Sequence, residues 1–140
     1  MKFKRILLDT NVCLDAMLER GDFAADALRI LDLSEQKVIE GVISAHCIDT
    51  LFYILNQVTT ISSTYNAINA LRSIIQIIPV DPIVIDSALS SRWPDLEDSI
   101  TYHAAQNANC EAIITRNPKD FKDSMIPVLS PVEFLEEVEK

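Results

Sequence analysis

Glycine is nearly absent from this chain: Gly21 and Gly41 are the two among 140 residues. Two glycines so far apart exclude a glycine-rich phosphate loop, which needs several within roughly eight residues. Cysteine is scarce too. Cys13, Cys47 and Cys110 form no Cys-x-x-Cys pair, which argues against a zinc site or a dithiol motif. An odd number of scattered cysteines fits reduced, buried thiols. No apolar run is long enough to cross a membrane. Asp9 interrupts the run in MKFKRILLDT too early for a signal peptide, so a cytoplasmic protein without a membrane partner is the expectation. Basic residues are the minority, 12 Lys and Arg against 21 Asp and Glu, for a net charge of −9. That argues against non-specific nucleic-acid binding through a broad basic face. It leaves room for carboxylates around a divalent ion, with a few Lys or Arg meeting phosphates locally.

What the chain has is apolar content. It is 49% hydrophobic, ample for a packed core, and its length suits one domain over 1–140. Six Pro and two Gly fit neither low complexity nor a long linker, and no internal repeat is visible.

Short apolar runs at 3–9, 38–44, 77–80, 111–115 and 127–129 predict five strands. Helical spacing predicts helices at 22–36, with Asp22 as N-cap, and over Cys47–Val58 and Ser62–Ile75. A helix begins at Asp81-Pro82 and another at Pro94-Asp95, running to about Ala108. Ser130-Pro131 opens the last, with Glu133 placed for a capping box. Strands that are short, apolar and not alternating, interleaved with helices, indicate a parallel sheet covered on both faces. Ligands of such sheets bind beyond the carboxyl ends of the strands.

Three polar clusters fall at such places. In ILLDTNV a buried strand runs directly into Asp9, Thr10 and Asn11. Asp9 either caps the short helix from about Val12 or helps to bind a cation; magnesium and manganese favour carboxylate and water ligands. In PDLEDSITYHAA, Asp95, Glu97 and Asp98 gather at a helix start, with Leu96, Ile100, His103 and Ala104 as the apolar face. Capping explains Asp95 as N-cap and Asp98 as its partner three residues on; a site explains Asp98 equally. In AIITRNPKDF a strand again meets polar groups: Thr115, Arg116, Asn117 and Asp120, with Lys119 and Lys122 nearby. Phosphate contact and a solvated loop both fit that segment. His46, at a helix start, and His103, on a helix face, have no metal spacing, and Ser44 lacks a Gly-x-Ser-x-Gly context.

In this order, ILLDTNVCLDAML, GVISAHCIDTLFYIL, DLEDSITYHAAQNANCEAIITRNPKDF and IPVLSPVEFL resemble the PIN-domain ribonucleases, most of all the VapC-like toxins of toxin–antitoxin pairs. The resemblance covers nearly the whole chain. It implies a three-layer α/β/α sandwich around a parallel sheet of about five strands. It also implies a Mg2+- or Mn2+-dependent endoribonuclease acting on RNA, an antitoxin protein as partner, and a homodimer. It carries the catalytic and metal-binding acids onto Asp9, Asp98 and Asp120, with Asn117 as the other candidate for the last position. Thr10, Asn11 and Thr115 would orient ligands or water, and Arg116 would meet the phosphate. The chain departs from the family in the middle motif, where an acid is usual before Leu51: Thr50 stands there, and the nearest acid is Asp49. Adjacent helical positions differ by about 100°. Either Asp49 swings in as a metal ligand or the site has three carboxylates. A weak or inactive PIN-like module that binds RNA or protein is the alternative reading. A haloacid-dehalogenase-like phosphatase ranks last, because its second Asp is missing after Asp9.

Overall fold

The structure, a computed structural model, describes residues 3–139. Five parallel strands form one sheet: β1 (Arg5–Leu8), β2 (Glu40–Ser44), β3 (Gln76–Ile78), β4 (Ala112–Ile114) and β5 (Val128–Leu129). Their spatial order is β3-β2-β1-β4-β5. The chain therefore builds outward from β1 to one side, then crosses back and builds to the other. The reversal falls between β1 and β4, where Ile6, Leu7 and Leu8 pair with Ala112, Ile113 and Ile114. That is the place where an open parallel sheet leaves a crevice for a ligand.

Among the described residues, seven α-helices cover the sheet: α1 (Thr10–Met17), α2 (Ala24–Glu35), α3 (Ala45–Asn56), α4 (Ile61–Arg72), α5 (Pro82–Ser91), α6 (Leu96–Asn107) and α7 (Pro131–Val138). Strand side chains alternate in direction, so each strand serves two cores. Ile6, Leu8, Ile43 and Ile114 pack with α1, α2, α3 and α7, where Val12, Ile30, Leu51 and Phe134 are fully buried. Leu7, Val42 and Ile113 pack on the other face with Val84 of α5 and with Tyr102 and Ala105 of α6. This is the three-layer α/β/α arrangement with a five-stranded parallel sheet that the resemblance implied.

Several boundaries differ from the sequence expectation. Asp22 lies inside a 3₁₀ helix, Gly21–Phe23, and α2 starts after Phe23 with no side-chain cap. α3 begins at Ala45, right after β2, which puts His46 in its first turn. α4 ends at Arg72, three residues short of Ile75, because Ile75 turns into the core ahead of β3. Pairing with β2 sets β3 itself at Gln76–Ile78, before Val80. The face of α6 is also shifted from the expected one. It buries Ser99, Thr101, Tyr102 and Ala105 beside the expected Ala104, while Leu96 stays exposed. Ser99 donates to the Ala88 carbonyl of α5 at 3.1 Å, and a small residue there lets the two helices approach. The final helix follows expectation, with a complete capping box between Ser130 and Glu133.

Gly41 shows how closely β2 and α2 approach. A Cβ there would stand 2.8 Å from Ser34 Oγ and 3.3 Å from Ile75 Cγ2. Ser34 Oγ already accepts from Gly41 N–H and donates to the Ile74 carbonyl, so it has little freedom to move aside. Gly41→Ala is expected to destabilise the chain by about 1–3 kcal/mol, the usual cost of overpacking. Urea unfolding followed by circular dichroism measures it.

Candidate active site at the switch between strands one and four

Asp9 leaves β1 and caps α1. One carboxylate oxygen accepts from Thr10 N–H at 2.8 Å. The other accepts from the Thr115 hydroxyl, also at 2.8 Å, across the β1–β4 junction. Thr115 Oγ1 in turn accepts from Asn11 Nδ2 at 3.3 Å and from Asn117 N–H at 3.2 Å. Arg116 N–H donates to Asn11 Oδ1 at 3.3 Å. The two strand ends are therefore tied through polar side chains, and Thr10, Asn11, Thr115 and Asn117 all serve that tie. Asp9 is at once a helix cap and the acid at the mouth of the sheet. Burial pushes its carboxyl above the usual range; the Thr115 and Thr10 bonds oppose this, and the charges of Glu97 and Asp120 add to it.

The first turn of α6 brings the second acid. Asp95 is the N-cap and accepts from Asp98 N–H at 3.0 Å. The reciprocal bond of a capping box is missing here, although α7 makes it, with Ser130 N–H donating to Glu133 Oε1 at 2.9 Å. Among the described residues, no protein donor reaches the carboxylates of Glu97, Asp98 or Asp120. Asp98 is half-buried, and its pKa is pushed up to about 7, first by burial and then by the charges of Asp95, Asp9, Asp120 and Glu97.

The third acid comes from the 3₁₀ helix Pro118–Phe121 after β4. Phe121 is buried and anchors that turn against Trp93, which stacks on Tyr102 of α6 with centroids 5.1 Å apart. The packing holds Asp120 facing the start of α6. Between them lies a cleft of about 400 Å³ lined by Trp93, Pro94, Asp95, Asp98, Lys119, Asp120, Lys122 and Asp123. A separate cleft of about 420 Å³ lies at the opposite ends of the strands, lined by Lys4, Lys37 and Arg72 and remote from these acids.

Two other candidates stand apart. Asp49 is exposed, and with Thr50 it lines a separate groove along α3 beside Phe52 and Tyr53. It is not among the charges acting on Asp9 or Asp98. Arg116 turns away from the cleft. Its Nε lies 2.8 Å from Oδ2 of the buried Asp15, an ionic contact out of line for a hydrogen bond, and its guanidinium carbon is 4.3 Å from the Phe23 ring centroid. The structure adds Glu97, whose charge is the first to act on Asp9, and puts Lys119 and Lys122, already read as candidates for phosphate contact, on the cleft wall. Glu97 was visible in the acid trio at the start of α6, but a cap and a dipole partner are written with the same letters.

A model of the PIN domain matches residues 5–119, so the chain belongs to the PIN-domain family. Solved structures agree on the fold. A toxin–antitoxin complex from Klebsiella pneumoniae is 26% identical with a TM-score of 0.67, covering 90% of this chain and 97% of that one. VapBC2 from Rickettsia felis, bound to a DNA fragment from its promoter, is 18% identical with a TM-score of 0.69, covering 89% and 97%. VapC20 from Mycobacterium tuberculosis, a sarcin-ricin loop cleaving toxin, is 14% identical with a TM-score of 0.61, covering 77% and 86%. No curated protein matches the chain.

Arg116→Ala is expected to destabilise the fold by about 2–4 kcal/mol. Removing one partner of a buried pair costs roughly 3–5 kcal/mol, and Arg20, 3.8 Å from Asp15, retains part of the compensation. Chemical denaturation reads this directly.

The acids also set a pH dependence. The folded chain keeps protons on Asp98 and Asp9 at pH values where the unfolded chain has released them. The folded state thus binds more protons between about 3.8, the unperturbed value, and about 7 for Asp98. Stability must fall as pH rises through that window. Without divalent cation, the melting temperature is expected to drop by a few degrees from pH 5 to 8. Asp98→Asn should flatten the drop in a differential scanning fluorimetry series.

Proposed function

We propose that this chain is a divalent-metal-dependent endoribonuclease that hydrolyses RNA phosphodiester bonds in the cleft between the α6 start and the 3₁₀ turn after β4. The observation that carries the reading is Asp98: half-buried, without a protein donor, and crowded by Asp9, Asp120 and Glu97. A carboxylate left in that state by the protein is suited to a cation. Membership of the PIN family supports nuclease chemistry, and a neighbour described as cleaving the sarcin-ricin loop supports RNA as substrate. The complexes from Klebsiella and Rickettsia support an antitoxin partner. A cytoplasmic location goes with RNA as substrate.

The donor set fits Mg2+ or Mn2+. Asp9, Glu97, Asp98 and Asp120 offer only hard oxygen, and their mutual repulsion is relieved by positive charge. Among the described residues, no three His, Cys, Asp or Glu side chains form a ready chelate. Magnesium tolerates this, since it keeps several waters and takes one or two carboxylates. When bound, the cation supplies charge against the phosphodiester and a lowered pKa for adjacent water. The rest belongs to the chain. Asp9, fixed by Thr10 and Thr115, and Asp98 and Asp120 across the cleft hold the cation. Lys119 and Lys122 meet phosphate oxygens as point charges. In the reaction, water oxygen bonds to phosphorus, the bond to the leaving ribose oxygen breaks, and that oxygen takes up a proton. Asp49 and Arg116 have no part in this reading.

The departure at Thr50 favours a second reading, a weak or inactive module that binds RNA or protein. Manganese-dependent cleavage by the wild-type chain decides between them.

Asp98→Asn should abolish cleavage by at least about 100-fold, since an oxyanion or metal contact carries that much in rate. It should also reduce the thermal shift given by manganese, because a ligand stabilises only as far as it binds the folded state. Metal-free stability at pH 8 should be unchanged or higher, because a repelling charge is removed. A variant that cleaves RNA as fast as the parent at saturating manganese sinks the assignment.

Homodimer assembly is part of the proposal. Phe23, Leu28, Tyr53 and Tyr65 are exposed apolar groups, whereas Leu55 belongs to the core. Sedimentation at micromolar concentration should show a dimer; monomer alone counts against it.

A further inference from the structure

His46 enters from the first turn of α3, the helix whose expected acid is replaced by Thr50. Its Nε2 lies 3.3 Å from the Glu97 carbonyl oxygen and 3.3 Å from Thr101 Oγ1. Thr101 donates its own hydroxyl proton back to the same Glu97 carbonyl at 2.9 Å. A hydroxyl has one proton, and a carbonyl has none. Both oxygen neighbours of Nε2 are therefore acceptors, and Nε2 must carry the proton; its third neighbour, Cys47 Sγ at 3.8 Å, is a weak partner that can accept as well. Nδ1 is buried and makes no hydrogen bond. The ring is a one-way donor across the gap from α3 to α6. Beside it, Cys47 Sγ sits 3.9 Å from Thr101 Oγ1. Among the described residues, every polar side-chain contact between α3 and α6 runs through these two positions.

The residue at the receiving end matters. Glu97 and Asp98 are the second and third residues of α6, in its first turn. Asp95 ties that turn from its outer end. The His46 donor ties it from the α3 side. Resting on the ribonuclease reading above, we propose that His46 is a positioning residue of the active site: it holds the first turn of α6 so that Asp98 and Glu97 face Asp9 across the crevice. It reaches neither cation nor phosphate itself. In this chain α3 contributes a strut to the site.

A merely structural histidine and a positioning one differ in what their loss changes. Removing His46 orphans no buried acceptor, because Thr101 still donates to Glu97. His46→Ala should therefore shift the melting temperature by no more than a few degrees. Manganese affinity, measured by calorimetric titration on the full chain, should fall about tenfold. Turnover on a single-stranded RNA should fall with KM unchanged. His46→Gln, which restores an N–H donor of similar reach, should recover both to within about threefold. If alanine unfolds the chain, His46→Met against His46→Gln asks the same question, as Met has the length without the donor. Manganese affinity and turnover that stay at wild-type level in the alanine or methionine variant overturn the inference alone. So does a glutamine variant as impaired as the one that lacks a donor. A wild-type chain that neither binds manganese nor cleaves RNA overturns the ribonuclease reading, and this inference with it.

Discussion

The hydrogen bond from the Thr115 hydroxyl to Asp9 joins the two strand ends between which the sheet changes direction. The Asp9 side of the site is hung from it. β1 and β4 are neighbours that arrive from opposite halves of the chain, so nothing local fixes how their ends meet. A carboxylate that must be buried needs donors, and Thr115 is the one that β4 can offer. Asn11 and Asn117 then close on the same hydroxyl, and the backbone of Arg116 closes on Asn11. One carboxylate thus organises five polar positions in two short runs, Thr10 and Asn11 after β1 and Thr115, Arg116 and Asn117 after β4. The ion pair of Asp15 with Arg116 repeats the device one turn deeper, fixing α1 to the segment after β4.

Much of this was legible in the sequence, because the relevant signals are short and physical. Apolar runs that end abruptly in ILLD and AIIT mark strand ends, and the strand ends of a parallel sheet mark the site. The capping box at Ser130 was equally plain. Other features were hidden by ambiguity of role. Asp95-Leu96-Glu97-Asp98 reads as a helix start whether or not it does chemistry, and only the absence of a return bond from Asp95 N–H to Asp98 separates the two. Arg116 read as a phosphate contact because its buried partner, Asp15, is a hundred residues away in sequence. Asp49 and Thr50 could not be resolved, since one residue is 100° of helix and the rotation of α3 is set by Leu51 and Leu55 in the core.

The site is also where like charges crowd. Asp98 and Asp9 are held above the usual carboxylate range by burial and by one another's company. The cores under β1 and β4 are apolar, so the molecule tolerates a crowd of like charge at the carboxyl ends of these strands. Such local conflict with stability is where function tends to lie. The acidic character of the chain as a whole belongs to the same account. A net charge of −9 repels polyanions at long range, so under the proposed ribonuclease reading RNA would be recognised by short-range groups in the cleft.

That places the weight on direction. Four carboxylates come from three elements, and none of them chelates alone. A loop-borne set would be held loosely, and a misplacement of about 1 Å is costly in catalysis. Here three of the four are tied at the backbone: Asp9 by pairing to Ile114, Asp98 by the Asp95 cap, Asp120 by the turn that Phe121 anchors. The side chains of Asp98 and Asp120 keep their freedom while their starting points do not, and the Asp9 carboxylate is held as well. An arrangement of that kind lets carboxylates close on a hydrated cation without rebuilding the backbone, and it explains why the ties, rather than the acids, fill the polar interior around the crevice.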